Sequence, residues 1–232
     1  MIKTYFNWST GKDSALALHH LLKDEKFKVD QLLTSVNSAY DSVTMHGLRR
    51  SLMEAQINAL GIPYNTIELP ENPDMETYGK LMSDGVQKLK DQGYTVAGFG
   101  DIFLEDLRAY REKQLQTLGV ECLFPLWKRD TTELMEEFLS LGFKAIVICT
   151  NGQLLDESFV GRELDASFLN DLPENVDPCG ENGEFHTFCY DGPIFKKPIL
   201  FNIGERTYRE YPAPKEGKEK YGYWFCDLLP KE

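Results

Sequence analysis

The stretch from Tyr5 to Ser14 constrains the fold of this chain more than any other. A largely aromatic and β-branched run, Ile2 to Trp8, leads into the small polar turn Ser9-Thr10-Gly11, and helix-forming residues follow. We expect a β-strand, a tight turn and the N-terminus of a helix that Asp13 or Ser14 caps. Such a turn directs free backbone N–H groups and the positive end of the helix at one point. That point suits an anion such as a phosphate.

The turn is not a Walker A loop, which needs a glycine five residues before its Gly-Lys pair and a Ser or Thr after the lysine. Phe6 and Asp13 occupy those two positions. It resembles instead the Ser-Gly-Gly-x-Asp-Ser loop (PP-loop) of the ATP pyrophosphatases, or adenine nucleotide alpha hydrolases, with Thr10 in place of the first glycine. An ordinary capped turn between strand and helix is the alternative. The resemblance implies that ATP is bound by Ser9, Thr10, Gly11, Lys12, Asp13 and Ser14.

Composition and charge limit the classes of function. The chain has 232 residues, of which 42% are hydrophobic and 27% charged, as in common soluble enzymes. Its formal net charge of -12 argues against broad, sequence-independent binding to nucleic acid. No apolar run is long enough to cross a bilayer, and the N-terminus lacks the pattern of a signal peptide. We therefore expect a cytoplasmic protein without a membrane partner.

The cysteines predict neither disulfides nor a common zinc motif, because they are odd in number and include no Cys-x-x-Cys pair. They are Cys122, Cys149, Cys179, Cys189 and Cys226. Cys179, His186 and Cys189 offer three metal ligands in principle, but their spacing is unlike that of structural zinc sites.

Strand and helix patterns alternate from residue 31 to residue 149, and the last strand of the series is the apolar run Ala145 to Cys149. This alternation predicts an α/β fold with a mostly parallel sheet and helices on both faces. Beyond about Asn151 the chain is rich in Gly, Pro and aromatic residues, with short strand-like runs, which predicts a smaller C-terminal α+β region. We divide the chain into a nucleotide-binding domain, residues 1–150, and a substrate-binding region, residues 151–232.

Ligands of open parallel sheets bind beyond the carboxyl ends of the strands. The first strand ends at Trp8 and the fourth near Phe99, and we expect these two strands to be neighbours. The PP-loop and Gly100-Asp101-Ile102 would then face one crevice. Asp101 is placed there to orient Mg²⁺ or a nucleotide hydroxyl, or else to cap the helix that starts near Leu104.

A second polar segment runs from Asp177 to Thr187. It contains three carboxylates, an amide, two glycines and an imidazole, and the apolar Phe188-Cys189-Tyr190 follows directly. Carboxylates and histidine are the groups that bind ammonium or transfer protons near neutral pH. We expect a functional loop on a rigid base. A solvated Gly-Asn turn between strands is the alternative.

The two polar segments together resemble the diphthine-ammonia ligase (diphthamide synthase) family, a branch of the ATP pyrophosphatases. The specific part is the block Gly180 to Thr187, and other matching segments extend the resemblance over nearly the whole chain. They are Gly100-Asp101-Ile102, Pro125-Leu126-Trp127, Gly161-Arg162 and Asp191-Gly192-Pro193-Ile194-Phe195. Met45-His46-Gly47 stands where archaeal and eukaryotic ligases have Met-aromatic-His-Thr, and this variant is similar to the bacterial branch.

This resemblance implies a Rossmann-like (HUP-type) fold and an amide-forming ligase of diphthamide biosynthesis. ATP with Mg²⁺ would adenylate a carboxylate with release of pyrophosphate, and ammonia would attack the mixed anhydride. The implied acceptor is elongation factor 2 that carries diphthine. Catalytic roles fall to Lys12, Asp13, Glu184 and His186, acceptor-side contacts to His46, Glu181, Asn182, Gly183 and Thr187, and the metal to Asp101.

Other interpretations are open at this point. A bacterial relative could use the same adenylation on a small carboxylic acid, for example in cobalamin salvage. A regulator could bind an adenine nucleotide without turnover, although the block from Glu181 to His186 argues against a pure sensor. An RNA-thiolating enzyme would need a reactive cysteine pair, which the scattered cysteines do not supply. His46 could equally lie on the surface of a helix predicted from Met45 to Leu60, and a homodimer is left open.

Overall fold

A computed structural model describes residues 1–43, 47–211 and 221–231. The strands are β1 (Ile2–Asn7), β2 (Phe27–Asn37), β3 (Ser42–Val43), β4 (Tyr64–Leu69), β5 (Val96–Gly98), β6 (Glu121–Leu123), β7 (Lys144–Asn151), β8 (Phe185–Asp191), β9 (Phe201–Tyr211) and β10 (Tyr221–Pro230). The helices are α1 (Lys12–Lys23), α2 (Arg50–Leu60), α3 (Met75–Asp91), α4 (Glu105–Thr117), α5 (Thr131–Ser140) and α6 (Ala166–Asp171). Within these ranges no helix is long and apolar enough to span a membrane.

Five strands form the parallel sheet that the alternation predicts. They run in the order β4-β2-β1-β5-β6, and the short β3 pairs antiparallel with the end of β2. This is the order of a Rossmann sheet, which places a ligand crevice where the order reverses, between β1 and β5. The predicted adjacency of the first and fourth parallel strands is confirmed, because Thr4 to Phe6 pair with Val96 to Gly98.

Helices cover both faces of this sheet, as expected for the Rossmann-like fold. Consecutive side chains of a strand point to opposite faces. Phe6 therefore enters a core with α1, α2 and α5, while Tyr5 enters a separate core with α3 and α4. The PP-loop lies at the carboxyl end of β1, directly between these two layers of helices.

A second, antiparallel sheet has the order β8-β7-β10-β9, with β8 against α1 and β10 against α2. The run Ala145 to Cys149 lies here in β7, so its predicted place in the parallel sheet is wrong. The reason is that a continuous apolar run shows burial on both faces without showing which sheet the strand joins. The assignment of nucleotide binding to residues 1–150 and substrate binding to residues 151–232 stays a prediction.

The helix predicted from Met45 begins later, at Arg50. Gly47 has a left-handed backbone, with φ of 67°, which does not continue a helix. Residues 44–46 lie outside the described residues, and the prediction for His46 lies outside them too.

Candidate active site

The turn after β1 opens into α1 without a side-chain cap. Gly11 is the N-cap residue, and Asp13 and Ser14 lie inside the helix, so their prediction as caps is wrong. The Ser14 hydroxyl faces back into the turn, where it lies 2.6 Å from the hydroxyl of Ser9 and accepts the Ser9 N–H at 3.2 Å. A helix start that is not closed by its own cap residue is the arrangement that anion-binding turns use.

Thr10 adopts the left-handed backbone that a glycine would adopt easily, with φ of 72°. A β-branched residue is strained in this region, at a cost of about 1–3 kcal/mol. Its hydroxyl is buried without a hydrogen-bond partner among the described residues. Its carbonyl oxygen accepts the N–H of Cys189 at 3.0 Å. The PP-loop is thus attached to β8 at its most strained residue.

Gln56 in α2 fixes the same loop, and our sequence analysis missed it. Its side chain is fully buried. Its amide nitrogen donates to the carbonyl oxygens of Thr10, at 2.9 Å, and of Cys189, at 2.5 Å, while its oxygen accepts the indole N–H of Trp8 at 2.8 Å. A polar residue inside an apolar helix stripe was the available signal. The stripe consists of Leu52, Met53, Ile57 and Leu60.

Lys12 is buried at the centre of the site, with 3% of its surface exposed. Its ammonium donates to both oxygens of Asp13, at 2.7 and 3.0 Å, and to the carbonyl oxygen of Cys179. Burial is the largest influence on Lys12 and lowers its pKa, but Asp13, Cys179 and Glu181 together outweigh burial, and the net pKa is raised. Lys12 therefore holds a positive charge where the PP-loop meets the second polar segment.

The second polar segment is a rigid loop closed by its own side chains. The Asp177 carboxylate accepts the N–H groups of Cys179 and Glu181, at 2.9 and 3.2 Å. One oxygen of Glu184 accepts the N–H of Asp177 and the amide of Asn182, at 3.2 and 3.0 Å. The other oxygen of Glu184 is buried without a hydrogen-bond partner in the part of the chain that the structure describes. One carboxylate oxygen in this loop therefore remains able to accept from a ligand.

Thr187 connects this loop to the PP-loop, and His186 is its neighbour in β8. The Thr187 hydroxyl accepts the backbone N–H of Lys12 at 3.1 Å. Burial, with a smaller contribution from the nearby charge of Lys12, lowers the pKa of His186 to about 4. The imidazole is therefore neutral at physiological pH.

Glu181 connects the loop to the end of β5. Its carboxylate accepts the N–H groups of Ile102 and Phe103, at 2.8 and 3.4 Å. Burial, with a smaller contribution from the charge of Asp13, raises the pKa of Glu181 to about 7. A Cβ on Gly100 would lie 2.9 Å from the nitrogen of Ser14, so the segment after β5 packs directly on the first turn of α1. Residues from three distant segments of the chain are thus in direct contact.

Asp101 pairs with Arg111 of α4, a residue that the sequence analysis did not single out. The Nε and Nη2 atoms of Arg111 lie within 3.3 Å of the carboxylate oxygens, and 8% of the Asp101 side chain is exposed. Leu104 is the N-cap residue of α4 and no side chain caps that helix, so the alternative of Asp101 as the cap is wrong. No pattern in the sequence marked Arg111, because its partner lies across a turn.

The described residues contain no cluster of three or more His, Cys, Asp or Glu groups that could hold a metal ion. The Cys179 thiol donates instead to the carbonyl oxygen of Thr131, at 3.4 Å. The alternative of a metal bound by Cys179, His186 and Cys189 therefore has no support in the geometry.

Family models match both parts of the chain. The model for the diphthamide synthase N-terminal domain matches residues 2–122, and the model for its C-terminal domain matches residues 130–216. Among solved structures, the U34-tRNA thiolase NcsA from Methanococcus maripaludis has a TM-score of 0.37 and 17% identity, covering 61% of this chain and 57% of that chain.

The chain is also similar to curated proteins named diphthine-ammonia ligase. The Bos taurus protein is 31% identical over 140 residues, 58% of this chain and 51% of that protein. The human protein is 29% identical over 179 residues, 72% of this chain and 66% of that protein. The Schizosaccharomyces pombe protein is 31% identical over 221 residues, 85% of this chain and 36% of that protein. The chain thus spans from about a third to two thirds of the length of these relatives. Since one family model matches more than half of the chain, the chain belongs to the diphthamide synthase family.

Proposed function

We propose that this protein is an ATP-dependent ligase that joins ammonia to a carboxylate, with diphthine on elongation factor 2 as the acceptor. The contact between Lys12 and the loop from Asp177 to Thr187 is the observation that carries the proposal. It places a buried positive charge and an open helix start beside a loop of carboxylates. The names of the relatives support the same activity.

In this proposal the PP-loop binds the phosphates of ATP. Ser9, Thr10, Gly11 and Ser14 shape the turn, and Lys12 with Asp13 lies at its inner end. An acceptor carboxylate attacks the α-phosphorus, the bond to the β-phosphate oxygen breaks, and pyrophosphate departs. Lys12 stabilises the negative charge that develops on the leaving pyrophosphate, because its charge is fixed in a water-poor site.

The loop from Asp177 to Thr187 forms the acceptor side. Ammonia attacks the acyl carbon of the mixed anhydride, and AMP leaves with the electron pair of the broken bond. One proton of the attacking nitrogen must be removed, and Glu184, with its unpartnered buried oxygen, or the neutral His186 can accept it. Glu181, Asn182, Gly183 and Thr187 hold the shape of this side, and His46 stays a predicted contact.

Mg²⁺ enters the proposal only as a companion of the ATP phosphates. Both oxygens of Asp101 are engaged by Arg111, so the protein residues do not form a complete metal site by themselves. Mg²⁺ commonly takes most of its ligands from substrate phosphates and water. The role of Asp101 as a ligand of the metal or of the nucleotide stays a prediction.

The first experiment incubates the protein with ATP, Mg²⁺, ammonium and diphthine-bearing elongation factor 2. We expect AMP release together with the small mass decrease of the factor as a hydroxyl becomes an amine. Lys12→Ala should abolish AMP release without unfolding the protein, and Lys23→Ala, at the far end of α1, is the matched control. Binding of ATP without any change in the factor would contradict the proposed acceptor.

The other interpretations are not favoured by these relatives. Amidation of a small acid predicts AMP release with a small-molecule carboxylate and none with the factor. A nucleotide-binding regulator predicts no AMP with any acceptor. A cytoplasmic location and a homodimer belong to the same proposal, and fractionation and light scattering test them.

A further inference from the structure

A cleft of about 840 Å³ opens between the carboxyl edge of the parallel sheet and the second sheet. One wall contains residues that follow β2 and β4, among them Asn37, Tyr40 and Glu71. The other wall is formed by β9 and β10. No residue of the PP-loop and none of the loop from Asp177 to Thr187 lines it. The cleft is therefore a separate feature that the proposed chemistry has not used.

The wall from β9 presents alternate residues of one strand. Glu205, Thr207, Arg209 and Tyr211 all line the cleft, as the period of two in a strand requires. At about 3.3 Å per residue, this row extends over about 20 Å, and Glu205 and Arg209 are about 13 Å apart. The wall is long enough for several residues of an extended chain.

Two residues of opposite charge on this wall form no ion pair, although Arg209 lies near enough to Asp227 to lower the pKa of that carboxyl. Within the described ranges, neither Glu205 nor Arg209 forms an ion pair within 4.0 Å. Arg209 lies 5.0 Å above the ring of Phe225. By contrast, Arg49 and Asp227 in the same cleft already neutralise each other, at 2.7 Å. A complementary ligand must therefore present a positive group and a negative group well apart.

The opposite wall adds an exposed aromatic surface. Tyr40 is 65% exposed and its hydroxyl donates to the carboxylate of Glu71. Aromatic rings with a polar end are common where proteins bind other chains, because they bury much apolar area while keeping a hydrogen bond. Rings on both walls, Tyr40 and Phe225, therefore flank the row of charges.

The cleft begins close to the PP-loop. The Thr34 hydroxyl of β2 donates to the carbonyl oxygen of Trp8 at 3.0 Å, and β2 continues to Asn37 in the cleft wall. Three residues of strand correspond to about 10 Å. A side chain that projects from a segment in the cleft can therefore extend toward the PP-loop.

We infer that this cleft binds a polypeptide segment of mixed charge whose modified side chain carries the acceptor carboxylate. A small acid could meet only one end of the charged row, whereas a peptide meets Glu205, Arg209 and the aromatic rings together. The inference rests on the proposed function and deepens it, because it assigns the docking site of a protein acceptor.

The test compares wild type, Arg209→Gln and Arg206→Gln in steady-state amidation of diphthine-bearing elongation factor 2. Arg206 is the matched control, since it lies on the opposite face of β9 and does not line the cleft. We expect Arg209→Gln to raise KM for the factor about tenfold, because it removes a charge that the partner segment faces. The kcat and the KM for ATP should stay within about twofold of wild type. Glu205→Gln should also raise the KM for the factor, and Arg209→Lys should raise it less than Arg209→Gln does.

The outcomes distinguish a failure of the docking inference from a failure of the proposed ligase activity. Unchanged KM for the factor in both Arg209→Gln and Glu205→Gln overturns the inference while the proposed function stands. A rise in KM for ATP instead would identify the cleft as part of the nucleotide site and also overturns it. If wild type itself does not amidate the factor, the proposed function fails first and the inference fails with it. Circular dichroism of each variant identifies a folding defect. If Arg209→Gln does not fold, the KM of Glu205→Gln for the factor tests the inference on its own.

Discussion

The side-chain amide of Gln56 donates to the carbonyl oxygen of Thr10 across 2.9 Å, so a buried residue of α2 holds the PP-loop at its left-handed residue. Gln56 also bonds to Trp8 and to β8. Three separate elements are therefore kept in register by one side chain.

Replacing Gln56 by leucine should lower the free energy of unfolding by about 3 kcal/mol, because an indole N–H and two carbonyl oxygens lose a buried partner. It should also raise the KM for ATP, since the loop loses its support. Chemical denaturation and AMP release measure the two effects. Gln87→Leu is the control, because the Gln87 side chain donates to Asp91 at the exposed surface of α3. Equal effects of the two substitutions would contradict the role of Gln56.

Replacing Thr10 by glycine should stabilise the fold by about 1 kcal/mol, because glycine adopts a positive φ without the strain of a β-branched residue. The gain is smaller than the strain itself, since glycine also has more freedom in the unfolded chain. Thr10→Ala is the control. Thr10→Ala removes the unpartnered hydroxyl but keeps a Cβ. If it stabilised the fold as much as Thr10→Gly, the buried hydroxyl and not the backbone strain would be the cause of the destabilisation.

His186 and Glu181 should give the stability of the protein opposite dependences on pH. The pKa of His186 is lowered from 6.5 to about 4, so its contribution to stability is lost as the pH falls through that range. The pKa of Glu181 is raised from 4.5 to about 7, so its contribution is present at low pH and is lost as the pH rises.

These two groups therefore leave the free energy of unfolding of wild type nearly constant between about pH 7 and about pH 5. Each changes it by about 2 kcal/mol over this range, and the two changes have opposite signs. On acidification we expect Glu181→Gln to lose stability relative to wild type and His186→Gln to gain it. Urea denaturation at several pH values measures both. Parallel pH profiles for the three proteins would show that the two groups are not shifted in the folded state.

Replacing Arg111 by methionine should destabilise the protein by about 2 kcal/mol, because the Asp101 carboxylate, only 8% exposed, is left without its partner. The double variant Asp101→Asn, Arg111→Met should lose less than the sum of the single changes. Lys128→Met is the control, since its pair with Glu105 is exposed on both sides and its loss should change stability much less. Strictly additive changes at Asp101 and Arg111 would show that the pair has no net coupling.

Much of the fold could be predicted because the signals are local. The strand, turn and helix around Gly11 are encoded in one short segment. The adjacency of β1 and β5 was an expectation for an open parallel sheet, and their pairing confirms it. The place of β7 could not be predicted, because a run that is buried on both faces fits either sheet.

The residues of the candidate site could be predicted from the sequence, but the residues that hold them in position could not. The sequence pointed to Lys12 and to the segment from Asp177 to Thr187, which the fold brings into contact. Arg111 and the cleft on β9 depend on contacts between residues far apart in the chain, for which a single sequence carries no local pattern. The prediction that Asp13 or Ser14 caps α1 was wrong because no side chain caps the start of this helix.

The hydrogen bond from the Lys12 N–H to the Thr187 hydroxyl has a consequence for synthesis on the ribosome. A nascent chain that has just completed β6 contains every strand of the parallel sheet, yet it lacks both Thr187 and the Cys189 N–H that binds Thr10. The PP-loop therefore gains its last hydrogen-bond partners only after the whole parallel sheet has been synthesised, when β8 is made. A translation product that stops before β8 would contain the turn after β1 without the two hydrogen bonds that attach that turn to β8.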